Sequence, residues 1–181
     1  MRYLLPLSCL ALSLSAQAEP LDPLISEGMA LIPPFQQQLM ATVKSAVESG
    51  GPQQAVQACQ QMAPQITAEH SEAPWRVGRT ALKLRNQDNA PDPWERAVLE
   101  QFQQRAAEGE PLQNMSHAEM VGGEFRLMKA IPTGEACLAC HGGSIKPELA
   151  ALIDQYYPED EARGFKLGEL RGAFTLRRAV D

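Results

Sequence analysis

Residues 124–143 read EFRLMKAIPTGEACLACHGG. The first eight alternate as a strand does, with Phe125, Leu127 and Ile131 on one face. The rest place Cys137 and Cys140 either side of two residues, with His141 directly after. The strand bears on the fold, and the cysteine–histidine group bears on the chemistry.

Upstream of the strand the pattern is helical. Phe35, Leu39, Val43 and Ala46 recur at helical spacing, and Ser49-Gly50-Gly51 closes that run. Pro52 then suits a first helical position, and Val56, Cys59, Ala63 and Ile66 share the stripe of a second helix over 52–62, which Pro64 should end or kink. Four prolines between 19 and 34 argue against regular helix there. Residues 67–91 read as irregular, with a short extended stretch around Leu82–Leu84. In NAPDPWERAVLEQF, Asp92 is placed to cap, Pro93 to open and Glu95 to complete a capping box. Trp94, Val98, Phe102 and Ala106 face one way, and Glu108-Gly109 ends the helix. Downstream, a short helix starts near Pro147, and LRGAFTLRRAV (170–180) reads as a second strand with Leu170, Phe174 and Leu176 on one side. Helices early and strands late predict an α+β fold with an antiparallel sheet.

The ends set the compartment. MRYLLPLSCLALSLSAQA opens with Arg2, continues with an apolar stretch over 4–14, and closes on Ala16-Gln17-Ala18. This is the pattern of a secretory leader cleaved after Ala18, so residues 1–18 are expected to be removed and 19–181 to form one domain in the periplasm. Pro6-Leu7-Ser8 is a poor context for lipidation of Cys9. No other apolar run is long enough to span a bilayer. The whole chain carries a formal net charge of −6, and losing Arg2 makes the remainder one unit more acidic. Such a surface argues against nucleic acid and anionic lipid as partners. Of the four cysteines, three lie beyond the leader, an odd number for an oxidising compartment.

Cys137-x-x-Cys140-His141 is the attachment pattern of a c-type haem. Two thiols at this spacing reach the two vinyl groups on one porphyrin edge, and the adjacent imidazole meets the iron from one face. Gly142 and Gly143 would let backbone approach the macrocycle. A zinc site would need two more ligands at suitable spacing, and in a thioredoxin-like dithiol His141 would be incidental. One covalent haem c is therefore the expected cofactor. It would also occupy two of the three thiols and leave Cys59 alone. For the second axial ligand, composition alone ranks a methionine first, His70 or His117 second and Cys59 third. A lone cysteine on an apolar stripe is usually a small buried hydrophobe, and Met62, on the same helix, reads as core.

Three segments carry a resemblance to a known family: AVQACQQMAPQI (55–66), WRVGRTALKLRNQDNAPDPWE (75–95), and CLACHG (137–142) followed by ARGFKLGELRGAFTL (162–176). Together they resemble the c-type haem-binding domains of PAS-like fold. Those domains occur as small exported proteins and as sensory parts of membrane-bound histidine kinases. The resemblance implies a PAS-like antiparallel sheet with the N-terminal helices packed on it. It implies covalent haem through Cys137 and Cys140, His141 on the iron, and Cys59 as a thiolate on the opposite face. Ala81-Leu82 departs from the Ser-Leu pair expected of the family, which touches only a local hydrogen bond. Arg76, Arg79 and Arg85 lie in the most family-like segment and are candidates to pair with haem propionates.

Three functions compete. A redox or small-ligand sensing domain would pass its state to a separate protein. A periplasmic electron carrier would dock a redox partner, and an acidic surface suits a basic one. A haem enzyme is the third, disfavoured because no acid–base constellation flanks the motif. A thiolate ligand implies a low potential, which favours sensing over general electron shuttling.

Overall fold

The computed structural model describes residues 21–180. The predicted leader, its cleavage point and Cys9 lie outside them. Helix α1 spans Leu21–Glu69, β1 Trp75–Thr80, α2 Pro93–Ala107, β2 Ser116–Val121, β3 Glu124–Pro132, α3 Leu138–His141, α4 Pro147–Tyr156 and β4 Leu170–Ala179. The strands form one antiparallel sheet in the order β1-β4-β3-β2. The architecture is α+β, as the sequence predicts. Among the described residues no helix is long and apolar enough to cross a membrane.

Two proline-based expectations are corrected. Residues 21–34 are helical, and the second helical run continues through Pro64 to Glu69. Each internal proline removes one helical hydrogen bond, at a cost of about 3 kcal/mol. Burial outweighs it here. Leu24, Gly28, Ile32, Phe35 and Leu39 recur about a turn apart and are all buried, as is Ile66 beyond Pro64. A Cβ on residue 28 would lie 2.8 Å from Leu127 and 3.0 Å from the Trp75 ring, so Gly28 lets the helix settle directly on the sheet. The break falls at the glycine pair, where Gly51 has a φ of 72°, open to glycine at little cost. The limb after it folds back on the limb before. Gln38 Nε2 donates to Glu69 at 2.8 Å, and the Phe35 and His70 rings lie 5.4 Å apart. Met62, expected in the core, is exposed.

A strand also replaces part of the expected irregular segment. β1 occupies 75–80, whereas 82–83 forms a bend and 84 is irregular. Its alternation is short because only Trp75 and Val77 are apolar on the inward face, and Arg79 holds the next inward position. β2 is an edge strand with no fully buried residue, hence its faint signal.

The sheet is covered on both sides. Phe35, Ile66, Trp75, Val77, Phe125, Leu127, Phe174 and Leu176 fill the side under α1. Val98, Leu99 and Phe102 of α2 pack against Met128, Ala130 and Ala173 on the other, so α2 does not share α1's face. Leu170, expected beside Phe174 and Leu176, packs on the α2 side instead. The register explains this: Ile131 pairs with Gly172 but Pro132 pairs with Leu170, so Arg171 is an extra residue and the facing reverses beyond it.

The predicted capping box is present. Asp92 accepts from the Glu95 backbone at 2.9 Å, and Glu95 accepts from the Asp92 backbone at 2.9 Å. Glu95, 2% exposed, also accepts from Thr175 Oγ1 at 2.7 Å and Arg177 at 3.0 Å, and lies 3.3 Å from Arg126. One carboxylate thus seats α2 on β3 and β4. Glu95→Ala strands the buried Arg126 beside Asp92 alone. It is expected to cost about 3 kcal/mol in urea unfolding, whereas Lys44→Ala, at an exposed pair, shifts stability by less than about 0.5 kcal/mol.

Candidate functional site

β3 delivers the cysteine motif. After Pro132, Thr133 is pinned both ways: its N–H donates to the Glu169 carbonyl at 2.8 Å, and its carbonyl accepts from Gly168 at 2.8 Å. A 3-10 turn, Glu135–Cys137, leads into α3. The far side is tied in turn, since the carbonyls of His141 and Gly142 accept from the N–H groups of Phe165 and Gly164 at 3.0 and 3.1 Å. Gly142 is required by its own loop: a Cβ there would come 2.5 Å from the Leu138 carbonyl, whereas Gly143 meets nothing within 4 Å.

His141 is oriented for ligation. Its Nδ1 lies 2.8 Å from the Ala162 carbonyl. A carbonyl only accepts, so Nδ1 carries the proton and Nε2 keeps a free lone pair. Burial, with Arg171 and Arg85 nearby, pushes the imidazole pKa down to about 3, which keeps the ring neutral.

Arg85 braces this arrangement. Nε and Nη2 meet the two oxygens of Asp160 at 3.1 and 3.2 Å, and Nη2 also donates to the carbonyls of Cys140 at 2.6 Å and Ala162 at 3.3 Å. Asp160, 1% exposed at its side chain, further accepts from Arg163 Nε at 2.6 Å and its own loop's Ala162 N–H at 3.0 Å. Burial works to raise the Asp160 carboxyl, but the bonds from Arg85 and Arg163 hold it below its ordinary value. Arg85, offered by sequence as a propionate contact, is thus largely committed to Asp160 and to the carbonyls around His141.

Cys59 joins from α1. Val56, one turn earlier, packs with Leu149 and Ile153 of α4, and Cys140 leans on the same cluster. Burial raises the Cys59 thiol pKa, and charge on Cys140 would raise it further; Arg79 and Arg85 pull the other way. Cys59, Cys137 and Cys140 are free, half-buried thiols. Arg79, inward on β1, reaches the same place, and its Nε is buried with no hydrogen-bond partner among the described residues. Arg76 does not join them: it is exposed on the opposite face of β1. His70 is engaged by Gln38 at 2.7 Å, and His117 lies by Trp94 on the far side of the sheet.

Sequence reasoning missed Asp160, Ala162, Tyr157 and Arg171. Burial first, then nearby Cys59, pushes the Tyr157 phenol up to about 12. Ala162 and Arg171 both fall within ARGFKLGELRGAFTL, a stretch already marked by resemblance. Among the described residues no three His, Cys, Asp or Glu side chains gather to cage a bare metal ion.

The fold and site define an α+β protein in which a thiol–thiol–imidazole loop faces a third thiol across a cluster of guanidiniums. The chain belongs to the Tll0287-like family, whose model matches residues 17–178. Among solved structures, the cyanobacterial heme-protein Tll0287 is similar at 26% identity and a TM-score of 0.58, over 83% of this chain and 93% of that one. None of the curated proteins compared with the chain matches it.

The lowered Asp160 value has a pH consequence. As pH falls, the unfolded chain takes up the proton first. The stabilisation is therefore complete above the ordinary value near 3.8 and is lost as pH falls through the lower folded value. Asp160→Asn is expected to cost roughly 3 kcal/mol at pH 7, by leaving Arg85 buried and unpaired. In urea titrations its gap from the parent chain should narrow toward acid.

Proposed function

We propose that this chain is an exported, periplasmic protein carrying one c-type haem, with a PAS-like domain whose iron ligation reports redox state or a small ligand. Cys137 and Cys140 would hold the porphyrin as thioethers, and His141 Nε2 and the Cys59 thiolate would bind its iron. The observation that carries this reading is the Nδ1–H bond to Ala162. It fixes the imidazole in the tautomer that leaves Nε2 free, on the loop that bears both attachment thiols. The haem protein in the similar structure supports it, as does the leader pattern at residues 1–18. The unpartnered Arg79 Nε fits a carboxylate that the chain itself does not supply.

Bound haem supplies a one-electron ferric/ferrous couple. The chain's own part is to position and to release. The Ala162 carbonyl and the Arg85–Asp160 pair hold His141 in place. Cys59 sits on a separate element, the second limb of α1, and burial favours its neutral thiol whenever no metal holds the thiolate. Loosening Cys59 would therefore free the middle of that limb from the motif loop while Ile66 stays in the core, a two-state element of the kind a sensor needs.

Electron transfer is the second reading. It is favoured by the placement of the motif loop at the surface, where Gly134, Glu135, Ala136, Ala139 and Gly143 are exposed.

The test uses protein made in cells competent in cytochrome c assembly. Cys59→Ala is expected to keep the mass of a covalent haem and to lose the low-spin thiolate signature in optical and EPR spectra. Cys137→Ala should impair attachment. A mature parent chain with no added tetrapyrrole refutes the haem reading. Rapid CO or NO binding to the ferrous protein supports sensing, and an inert six-coordinate haem in both states supports the carrier.

A further inference from the structure

Resting on the haem reading above, we infer that Arg79 and Arg171 form a two-pronged clamp for the haem's pair of propionate carboxylates, with Arg171 aimed into the site by a β-bulge. Arg171 is the extra residue between Ile131–Gly172 and Pro132–Leu170 in the β3–β4 ladder, and bulges re-aim the side chain they carry. Gly172 lets the bulge close on the end of β1, since a Cβ there would come 2.4 Å from the Thr80 carbonyl. So aimed, the Arg171 guanidinium lies 5.2 Å from the centroid of the Phe165 ring, which in turn meets His141 edge-on at 6.4 Å.

The charges around this point do not balance. Arg79, Arg85 and Arg171 are close enough that repulsion from the other two adds to burial in lowering the Arg171 pKa, to about 10. Among the described residues, the carboxylate that faces them is Asp160, and it is bonded to Arg85 and Arg163. Arg171 makes one long bond, Nη1 to the Lys83 carbonyl at 3.4 Å, and Arg79 Nε has no acceptor among the described residues. Lys83, 5.4 Å from the centroid of the same Phe165 ring, adds further positive charge. Two guanidiniums therefore lack counter-charge in a largely buried place, which is costly unless a ligand brings it. Ferric porphyrin with an axial thiolate is neutral at its centre, so the two propionates are the charge that remains. Guanidinium meets carboxylate in a forked geometry suited to that pairing.

The test is a spectroelectrochemical titration of haem-loaded protein between pH 5 and 8, comparing the parent chain with Arg171→Gln and Arg79→Gln. The parent midpoint is expected to be flat with pH, since clamped propionates stay ionised. Each Gln variant should shift the ferric/ferrous ratio about tenfold toward ferric, about 59 mV for one electron. Each should also gain a rising midpoint toward acid, as the unclamped propionate takes up a proton. Arg171→Lys keeps the charge but not the fork, so its midpoint should stay near the parent's while its propionate bending band in resonance Raman moves. If Arg171→Gln accumulates without haem, that band in Arg171→Lys decides. Parent-like midpoints and pH profiles in the Gln variants, or an unmoved band in Arg171→Lys, overturn the clamp. A parent chain that carries no haem overturns the reading beneath it, a separate and distinguishable failure.

Discussion

The site depends on the two-pronged contact between Arg85 and Asp160. Arg85 follows β1, Asp160 follows α4, and the same guanidinium reaches the carbonyls of Cys140 and Ala162. Three segments distant in sequence are thereby fixed to one another at hydrogen-bond precision. The Ala162 carbonyl that Arg85 steadies is the one that accepts from His141 Nδ1. A displaced guanidinium would thus loosen the imidazole without touching it. A charged pair suits this role better than an apolar contact. Apolar packing tolerates sliding, whereas a forked ion pair fixes distance and angle together.

The sheet and the site divide the molecule's physical work. Stability rests on the sheet's two covered faces, one under α1 and one under α2. The motif loop, α4 and the Cys59 stretch of the second limb of α1 add the small cluster of Val56, Leu149 and Ile153, while the end of that limb joins the larger core through Ile66. A region with little apolar burial and many polar ties opens more readily than a core does. Cys59 belongs to that region, while the first limb of α1 belongs to the core.

Legibility in the sequence followed the same division. The α2 start was readable down to its capping box because Asp92, Pro93 and Glu95 act through neighbours in the chain. β3 and β4 were readable because Phe125, Leu127, Phe174 and Leu176 alternate over a buried face. β1 was lost where it mattered, because Arg79 occupies an inward position that an apolar residue would normally hold. The prolines of α1 misled for a related reason: local rules disfavour helix there, and the sheet beneath Leu24, Gly28 and Ile32 overrides them. The cysteine–histidine motif could be seen because its three residues are adjacent. Asp160, Ala162 and Arg171 could not, since their roles exist only once β4 and the 157–165 segment fold back over His141.

The inward arginine that hid β1 also indicates when the site becomes complete. Arg79 and Arg171 repel one another and are drawn from water with no anion among the described residues bonded to them, so their burial opposes folding of this half of the molecule. A dianionic ligand reverses that sign, and its binding energy is then also folding energy for the site. The sheet can form first, since its two cores contain neither arginine. The motif loop, the second limb of α1 and the bulge can then close together as the ligand enters. On the haem reading, thioether links would make that closure lasting, and a bond from Cys59, whose burial favours the free thiol, would be the part of the closed site easiest to undo.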